Sequence, residues 1–259
     1  MKSKSLRRLR ANILRYLLLA AGTVICVLPM VYMISTSLRP NGALYEYPPR
    51  FFPRWEALTL ENYEYILSQS KFYLNFLNSV FVSLSSVALA AAVSSAMAFV
   101  MGKFHFRGKK LLFLLCLSTM MIPAELLIIQ NFITISKLGW MDTFQGIILP
   151  TVASGFYIYM MREYFMQIPS ILYKAAKVDG CSDWRYLWKV MIPMNKNAIA
   201  TIGILAFISQ WNSFVWPLMV TKSDAHRVMP IGLLHFRDAV SSQVNLQMAG
   251  ATIVIVPML

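Results

Sequence analysis

Five hydrophobic runs, each long enough to cross a lipid bilayer, decide what this chain can become. Four carry no charge at all, Tyr16–Leu38, Phe72–Met101, Thr143–Met161 and Asn197–Thr221, and a fifth, Leu111–Ser136, is interrupted only by Glu125. About 20 apolar residues in a helix span the roughly 30 Å of hydrocarbon. Within lipid every backbone polar group must be satisfied internally, so runs of this kind fold as helices. The expected fold class is all-α, a polytopic membrane protein. With 58% hydrophobic residues, 14% charged residues and a mean hydropathy of +0.57, a single water-soluble domain is excluded. A sixth run begins at Ala239, but its first part, AVSSQVNLQ, is polar. Its apolar part, Met248–Leu259, would rise only about 18 Å as a helix. The expectation is a sixth helix that is truncated in this sequence.

The net charge of +13 is explained by where the charges fall. With the N-terminus inside and the runs alternating, the inner segments 1–15, 102–110 and 162–196 hold 16 Lys and Arg against 3 acids. The outer segments hold 8 basic residues against 7 acids. That asymmetry is the positive-inside pattern and predicts a cytoplasmic N-terminus. It makes nucleic-acid binding an unnecessary reading. The basic KSKSLRRLR start precedes a run longer than a signal peptide's apolar core, with no small-x-small cleavage site, so a retained first helix is expected. Cys26 and Cys116 fall in runs and Cys181 on the inner side, which leaves no disulfide framework.

Prolines at 29, 123, 150, 217 and 257 are either hinges or ordinary membrane-helix prolines. Ala88, Ala92 and Ala96 give the second run a small face suited to close packing. The outer segment Arg39–Lys71 reads as an irregular loop rich in proline and aromatic residues, with a short helix near Leu60–Leu67.

No catalytic constellation is found. GKFHFRGKK at 102–110 has the wrong glycine spacing for a phosphate-binding loop and Lys110 where Ser or Thr is required. His105, His226 and His235 are scattered, so no metal set forms. Neither an enzymatic activity nor a cofactor is expected. Glu125 is the one acid inside a run, and it either lines a pathway or has a structural role. A proton-coupled secondary transporter using Glu125 is a further alternative.

The inner segment 162–196 is the most structured of the polar stretches. Ser170 is expected to cap a helix, ILYKAAKVD, that ends at a left-handed Gly180, and Ser182 to cap a second helix, DWRYLWKVMI, closed by Pro193. Ala175, Ala176 and Asp179 gather around Leu172 on one face with little bulk. Trp184, Leu187, Trp188 and Met191 form an apolar stripe expected to pack against the helix ends.

At these residues the sequence resembles the permease subunits of bacterial ATP-binding-cassette importers, specifically the carbohydrate-type permeases of the maltose-transporter kind. Their cytoplasmic E-A-A-x-x-x-G segment stands here as Lys174-Ala175-Ala176-Lys177-Val178-Asp179-Gly180, with Pro193 downstream. The likeness extends to FLNSVFVSLSS, FHFRGKKLL, LGWMDTFQGIILP and WNSFVWPL and covers most of the chain. The resemblance implies a type I importer permease of six helices, one domain over 1–259 with a coupling loop at 162–196. It implies a second permease subunit, two ATP-binding subunits, an extracytoplasmic solute-binding protein and a sugar substrate, in the cell membrane. Ala175, Ala176, Asp179 and Gly180 would carry docking to the ATPase. Lys174 departs from the family's Glu, so that residue's pairing is not carried over. In a sugar pathway Gln210, Trp211, Asn212 and Trp216 offer amides beside aromatic faces, or they are packing. A non-sugar solute such as a phosphorylated polyol is the alternative cargo.

Overall fold

The computed structural model describes residues 2–40, 51–52, 57–239 and 244–258. Among these all the regular structure is helical and there is no strand. In chain order the helices are α1 (Lys2–Ser37), α2 (Glu61–Ser68), α3 (Ser70–Lys103), α4 (Lys109–Thr119), a 3-10 turn Ala124–Leu127, α5 (Ile128–Lys137), α6 (Phe144–Val152) and α7 (Gly155–Met166). They continue with α8 (Ser170–Val178), α9 (Asp183–Tyr186), a π-turn Leu187–Met191, α10 (Ile192–Met194), α11 (Lys196–Trp211), α12 (Val215–Val220), α13 (Met229–Ala239) and α14 (Val244–Ile255). The expected short helix near Leu60–Leu67 is α2. Most of the proline-rich outer loop, 41–50 and 53–56, and the polar start of the sixth run, 240–243, lie outside the described residues.

The chain divides into two compact units, Met1–Phe72 with Leu233–Leu259, and Tyr73–Gly232. The first unit contains α1, α2 and α14. A buried amide cluster ties the chain after α1 to the two other helices. Asn62 Nδ2 donates to the carbonyls of Ser37 and Arg39, each at 2.8 Å, and Asn245 Nδ2 donates to Asn62 Oδ1 at 2.8 Å. The apolar window of α1 within Asn12–Ser37 is only 6% buried, so that stretch turns its hydrophobic side chains outward. Such a surface requires lipid or another protein.

The second unit is organised on α3, whose apolar window is 39% buried. Two hydrophobic clusters pack along it. One gathers Val82, Ile135, Ile147, Ile148, Trp216 and Val220; the other gathers Ala98, Phe99, Phe165, Tyr186, Leu187, Met191 and Ile202. Ser86 and Ala90 of α3 lie between the two clusters in sequence.

Among the described residues two helices, Asn12–Ser37 and Lys71–Lys103, are long and apolar enough to span, and up to five spans result if each bent pair counts as one. The expected third run bends by 94° between α4 and 124–137, and the fourth by 49° between α6 and α7. The fifth differs from expectation. Its apolar stretch stops at Trp211 and resumes at Val215, while α11 bends by 83° from Asp183–Met194 before it.

Proline explains only one of these breaks. Pro123, with φ −58° and ψ 132°, starts the 3-10 turn after α4. The break at Ala153–Ser154 has no proline, and both residues are extended. Pro150 lies inside α6 and would orphan the Gly146 carbonyl four residues back. Trp216 Nε1 donates to that carbonyl at 3.2 Å, which is how the proline is accommodated.

Candidate functional site

The polar insert forms a two-helix knob. Pro169, rather than Ser170, occupies the N-cap position of α8, and Ser170 is its first residue. Gly180 is left-handed at φ +71°, as expected. The Cys181 N–H reaches the Ala176 carbonyl at 2.9 Å and the Gly180 N–H reaches Lys177 at 3.1 Å, the paired bonds of a Schellman ending. Ser182 then caps α9, its Oγ accepting from the Arg185 N–H at 3.3 Å.

Asp183 ties the two helices across this corner. Tyr173 Oη donates to it at 2.6 Å and Lys177 Nζ pairs with it at 2.7 Å. The Lys177 hydrogen bond, then that of Tyr173, holds the Asp183 carboxyl below its ordinary range. Burial, together with Asp183, pushes the Tyr173 phenol up to about 12.

The knob's second half differs from the expected stripe. Tyr186, Leu187 and Met191 are fully buried against the ends of α3, α7 and α11, whereas Trp184 and Trp188 are 64% and 45% exposed and meet edge to face at 5.7 Å. The inward face is centred on Tyr186, Leu187, Val190 and Met191 at helical spacing, which leaves Trp184 and Trp188 to one side of it. Nor does Pro193 close the helix, which runs to Met194 and breaks at Asn195. Pro193 has no N–H to give to the Lys189 carbonyl, and that residue lies within the wider π-turn.

On α8 the expected small face is split. Ala176 turns toward the core beside Tyr173, while Lys174, Ala175 and Asp179 are exposed. Val178, 88% exposed, and Ile171 complete an outward row with Lys174 and Ala175 at helical spacing. A Cβ added to Gly180 would meet nothing within 4 Å. The knob thus presents a free surface on a rigid base.

The four pathway candidates do not converge. Trp211 is buried, stacked on Phe207 at 5.4 Å and edge-on to Phe76 at 5.8 Å. Trp216 holds the Gly146 carbonyl. Asn212 follows the last turn of α11 and donates to the Ile208 carbonyl at 2.9 Å. Gln210, by contrast, lines a cavity.

That cavity, about 90 Å³, is lined by Ser86, Thr151, Tyr157, Ser209, Gln210 and Ser213, among others. It is large enough for about three waters. Gln210 Oε1 accepts from Thr151 Oγ1 at 3.2 Å, but Gln210 Nε2 and Ser86 Oγ are buried without a partner. Two helix breaks flank it, since Thr151 and Tyr157 bracket Ala153–Ser154 and Gln210 and Ser213 bracket the end of α11. Irregular backbone at membrane depth is tolerated where it lines such a polar space. Ser86, Thr151 and Tyr157 escaped the sequence reading because hydroxyls scattered on separate helices carry no spacing signal. Glu125 is not brought to this cavity. It is exposed, in the 3-10 turn after α4.

Compared with known proteins, residues 94–259 match the family described as the binding-protein-dependent transport system inner membrane component. The chain belongs to this family. The permease is 32% identical over 234 residues to the arabinooligosaccharides transport system permease protein AraQ of Halalkalibacterium halodurans, covering 90% of this chain and 84% of the relative. It is 29% identical over 257 residues to the sn-glycerol-3-phosphate transport system permease protein UgpE of Rhizobium meliloti, covering 95% and 90%. Its fold is similar to a chain of a bacterial ABC transporter involved in the import of the acidic polysaccharide alginate, with TM-score 0.83, 26% identity and coverage of 95% and 91%. Permeases of this family are integral membrane transport components and not catalysts; ATP hydrolysis belongs to a separate subunit.

In this permease a second polar cluster joins the segment before α6 to the segment after α12. Asp142 sits at φ +57°, and its Oδ1 accepts from the backbone N–H of Lys222 at 2.9 Å and of Ser223 at 3.1 Å. His226 Nδ1 lies 3.5 Å from the same oxygen. The Lys222 bond, with Ser223 and His226 behind it, overcomes the opposing effect of burial and holds the carboxyl at about 2. A depressed carboxyl stabilises the fold above its unfolded pKa, near 4, and that contribution is lost as pH falls toward about 2. After solvent screening it amounts to about 1 kcal/mol. Asp142→Asn tolerates the left-handed backbone and removes only the charge. The expected result is a wild-type melting temperature that falls between pH 5 and pH 2 and a flatter profile for the variant; parallel profiles would contradict it.

Proposed function

We propose that this permease forms half of an inward pathway for a carbohydrate, and that its 162–196 segment is the docking element through which a separate ATPase subunit drives it. The observation that supports this most is the knob itself. Its outward row on α8 is exposed and small at Ala175, while its other side is set into the ends of three long helices. A push on such an element moves the spans as rigid bodies, the kind of motion that alternating access requires. Ala175, Asp179 and Gly180 would line the contact, Ala176 would brace it from within, and Lys174 would face the partner or solvent. The excess of basic residues in 1–15, 102–110 and 162–196 supports a cytoplasmic N-terminus and, with it, a knob on the ATPase side. A solute-binding protein and a second permease complete the assembly, in keeping with the family.

Relatives named for arabinooligosaccharides and the importer of alginate support a saccharide cargo. The glycerol-3-phosphate relative keeps a phosphorylated polyol in play, but no Lys or Arg lines the Gln210 cavity, and a hydroxyl and amide lining suits uncharged hydroxyls. The proton-coupled reading has only Glu125, which stands exposed and apart from the cavity.

Uptake by vesicles carrying the full complex tests the assignment. Labelled neutral oligosaccharide should accumulate only with ATP, the binding protein and both permeases; accumulation driven by a proton gradient without ATP would overturn it. Gln210→Leu should lower uptake by about tenfold, the loss of one or two hydrogen bonds to substrate hydroxyls. Unchanged kinetics would remove the cavity from the pathway.

A further inference from the structure

A groove of about 700 Å³ opens where α3 passes to α4. Its polar end is formed by Lys109, Lys110 and Arg162, and its wall by Leu111, Phe113 and Leu114. No acid lines it. Lys109 Nζ is held in place by donating to the carbonyls of Phe104 at 2.8 Å and Gly102 at 3.4 Å. Arg162 is fixed over the Phe113 ring at 4.1 Å and pairs with Glu163 at 2.6 Å. Lys110 is exposed and makes no ion pair among the described residues. Two of the three cations are therefore preset in position, and the three together exceed the one neighbouring carboxylate.

The wall is equally specific. Leu111 and Leu114 are 63% and 52% exposed, and both begin the apolar run that continues along α4. An eleven-residue helix rises about 16 Å, close to the thickness of one leaflet. The groove therefore joins a cationic mouth to the first turn of the apolar strip that α4 continues. A free anion would satisfy only the mouth, and an apolar segment of protein only the strip.

We propose that this groove binds an anionic phospholipid, its phosphodiester among Lys109, Lys110 and Arg162 and an acyl chain along Leu111, Phe113 and Leu114. The proposal rests on membrane placement of α4 but not on the transported solute. Basic pockets beside spanning helices recognise anionic headgroups at about 1 kcal/mol for each surface cation, or roughly fivefold in retention.

The test is lipid retention by the assembled complex in nanodiscs of phosphatidylcholine doped with phosphatidylglycerol, read by native mass spectrometry after detergent washing. One or two phosphatidylglycerol molecules should remain on the wild type, with about fivefold less on Lys110→Gln. Lys137→Gln, exposed at the end of α5 and away from both the groove and the knob, serves as the control and should retain the wild-type amount. Equal retention by Lys110→Gln and wild type would overturn the proposal. So would full displacement by millimolar inorganic phosphate, which would mark a simple anion site. The readout needs no transport, so an error in the sugar assignment would leave it unaffected.

Discussion

Ala175→Trp is expected to reduce ATP-driven uptake below about a tenth of the wild-type rate while membrane insertion and thermal stability stay unchanged. The side chain at 175 is exposed, so an indole there meets nothing inside the permease. It would stand where the ATPase surface must come close to the α8 backbone. Disrupting a central interface residue costs about 2 kcal/mol or more, some thirtyfold in association. Uptake and co-purification of the ATPase subunit should therefore fall together. Normal uptake with Trp at this position would end the docking proposal. Gly180→Trp should act in the same direction, but φ +71° adds backbone strain of about 1 kcal/mol or more. Ala176→Trp is a poorer probe, since Ala176 packs against the buried cluster and its effect would mix docking with folding.

Gly146→Ala should be the most damaging small substitution for the fold of the Tyr73–Gly232 unit. A Cβ at this position would clash with the Trp140 carbonyl oxygen and lie 3.2 Å from a Val220 methyl. The first obstacle is backbone and cannot rotate away. Thr143 caps the same turn, its Oγ1 accepting from the Gly146 N–H at 3.2 Å and donating to the Trp140 carbonyl at 2.8 Å. Relieving the clash therefore disturbs the cap and the Trp216 bond to the Gly146 carbonyl together. A loss of about 3 kcal/mol is expected, at the upper end for overpacking. It would be read as a lowered melting temperature and poor recovery in detergent. Wild-type stability would mean that α6 can shift away from Trp140 without cost.

These two positions differ in how far the sequence announced them. The Gly180 corner was legible because its determinants are local. A capping serine, a left-handed glycine and two short helices lie within a few residues of one another, and their spacing encodes the geometry. Gly146 gave no such signal, because what constrains it is a carbonyl that only the turn after α5 brings near. Proline alone left the choice between hinge and ordinary membrane-helix proline open. At Pro150 an indole 66 positions later in the chain closes the gap that it leaves. The break before Ala124 does begin at Pro123, whereas those at Ala153–Ser154 and after Trp211 contain no proline. Trp184 and Trp188 show the limit of helical periodicity. The period of 3.6 allows a face through Trp184, Leu187, Trp188 and Met191 as well as one through Tyr186, Leu187, Val190 and Met191, and only the packing against the neighbouring helix ends selects the second. Gln210 stood out as an amide in an apolar run, but the hydroxyls that make a cavity of it come from other helices.

The shared burial of Tyr186, Leu187 and Met191 against α3, α7 and α11 bears on how graded the permease's response can be. Close-packed interiors do not deform continuously; they exchange one packing for another. Three helix ends that own a common core cannot be displaced one at a time without opening a void among them. A force on the knob is therefore answered by all three or by none. Partial engagement of the nucleotide-driven partner would then change how often the pathway switches, not how wide it stands.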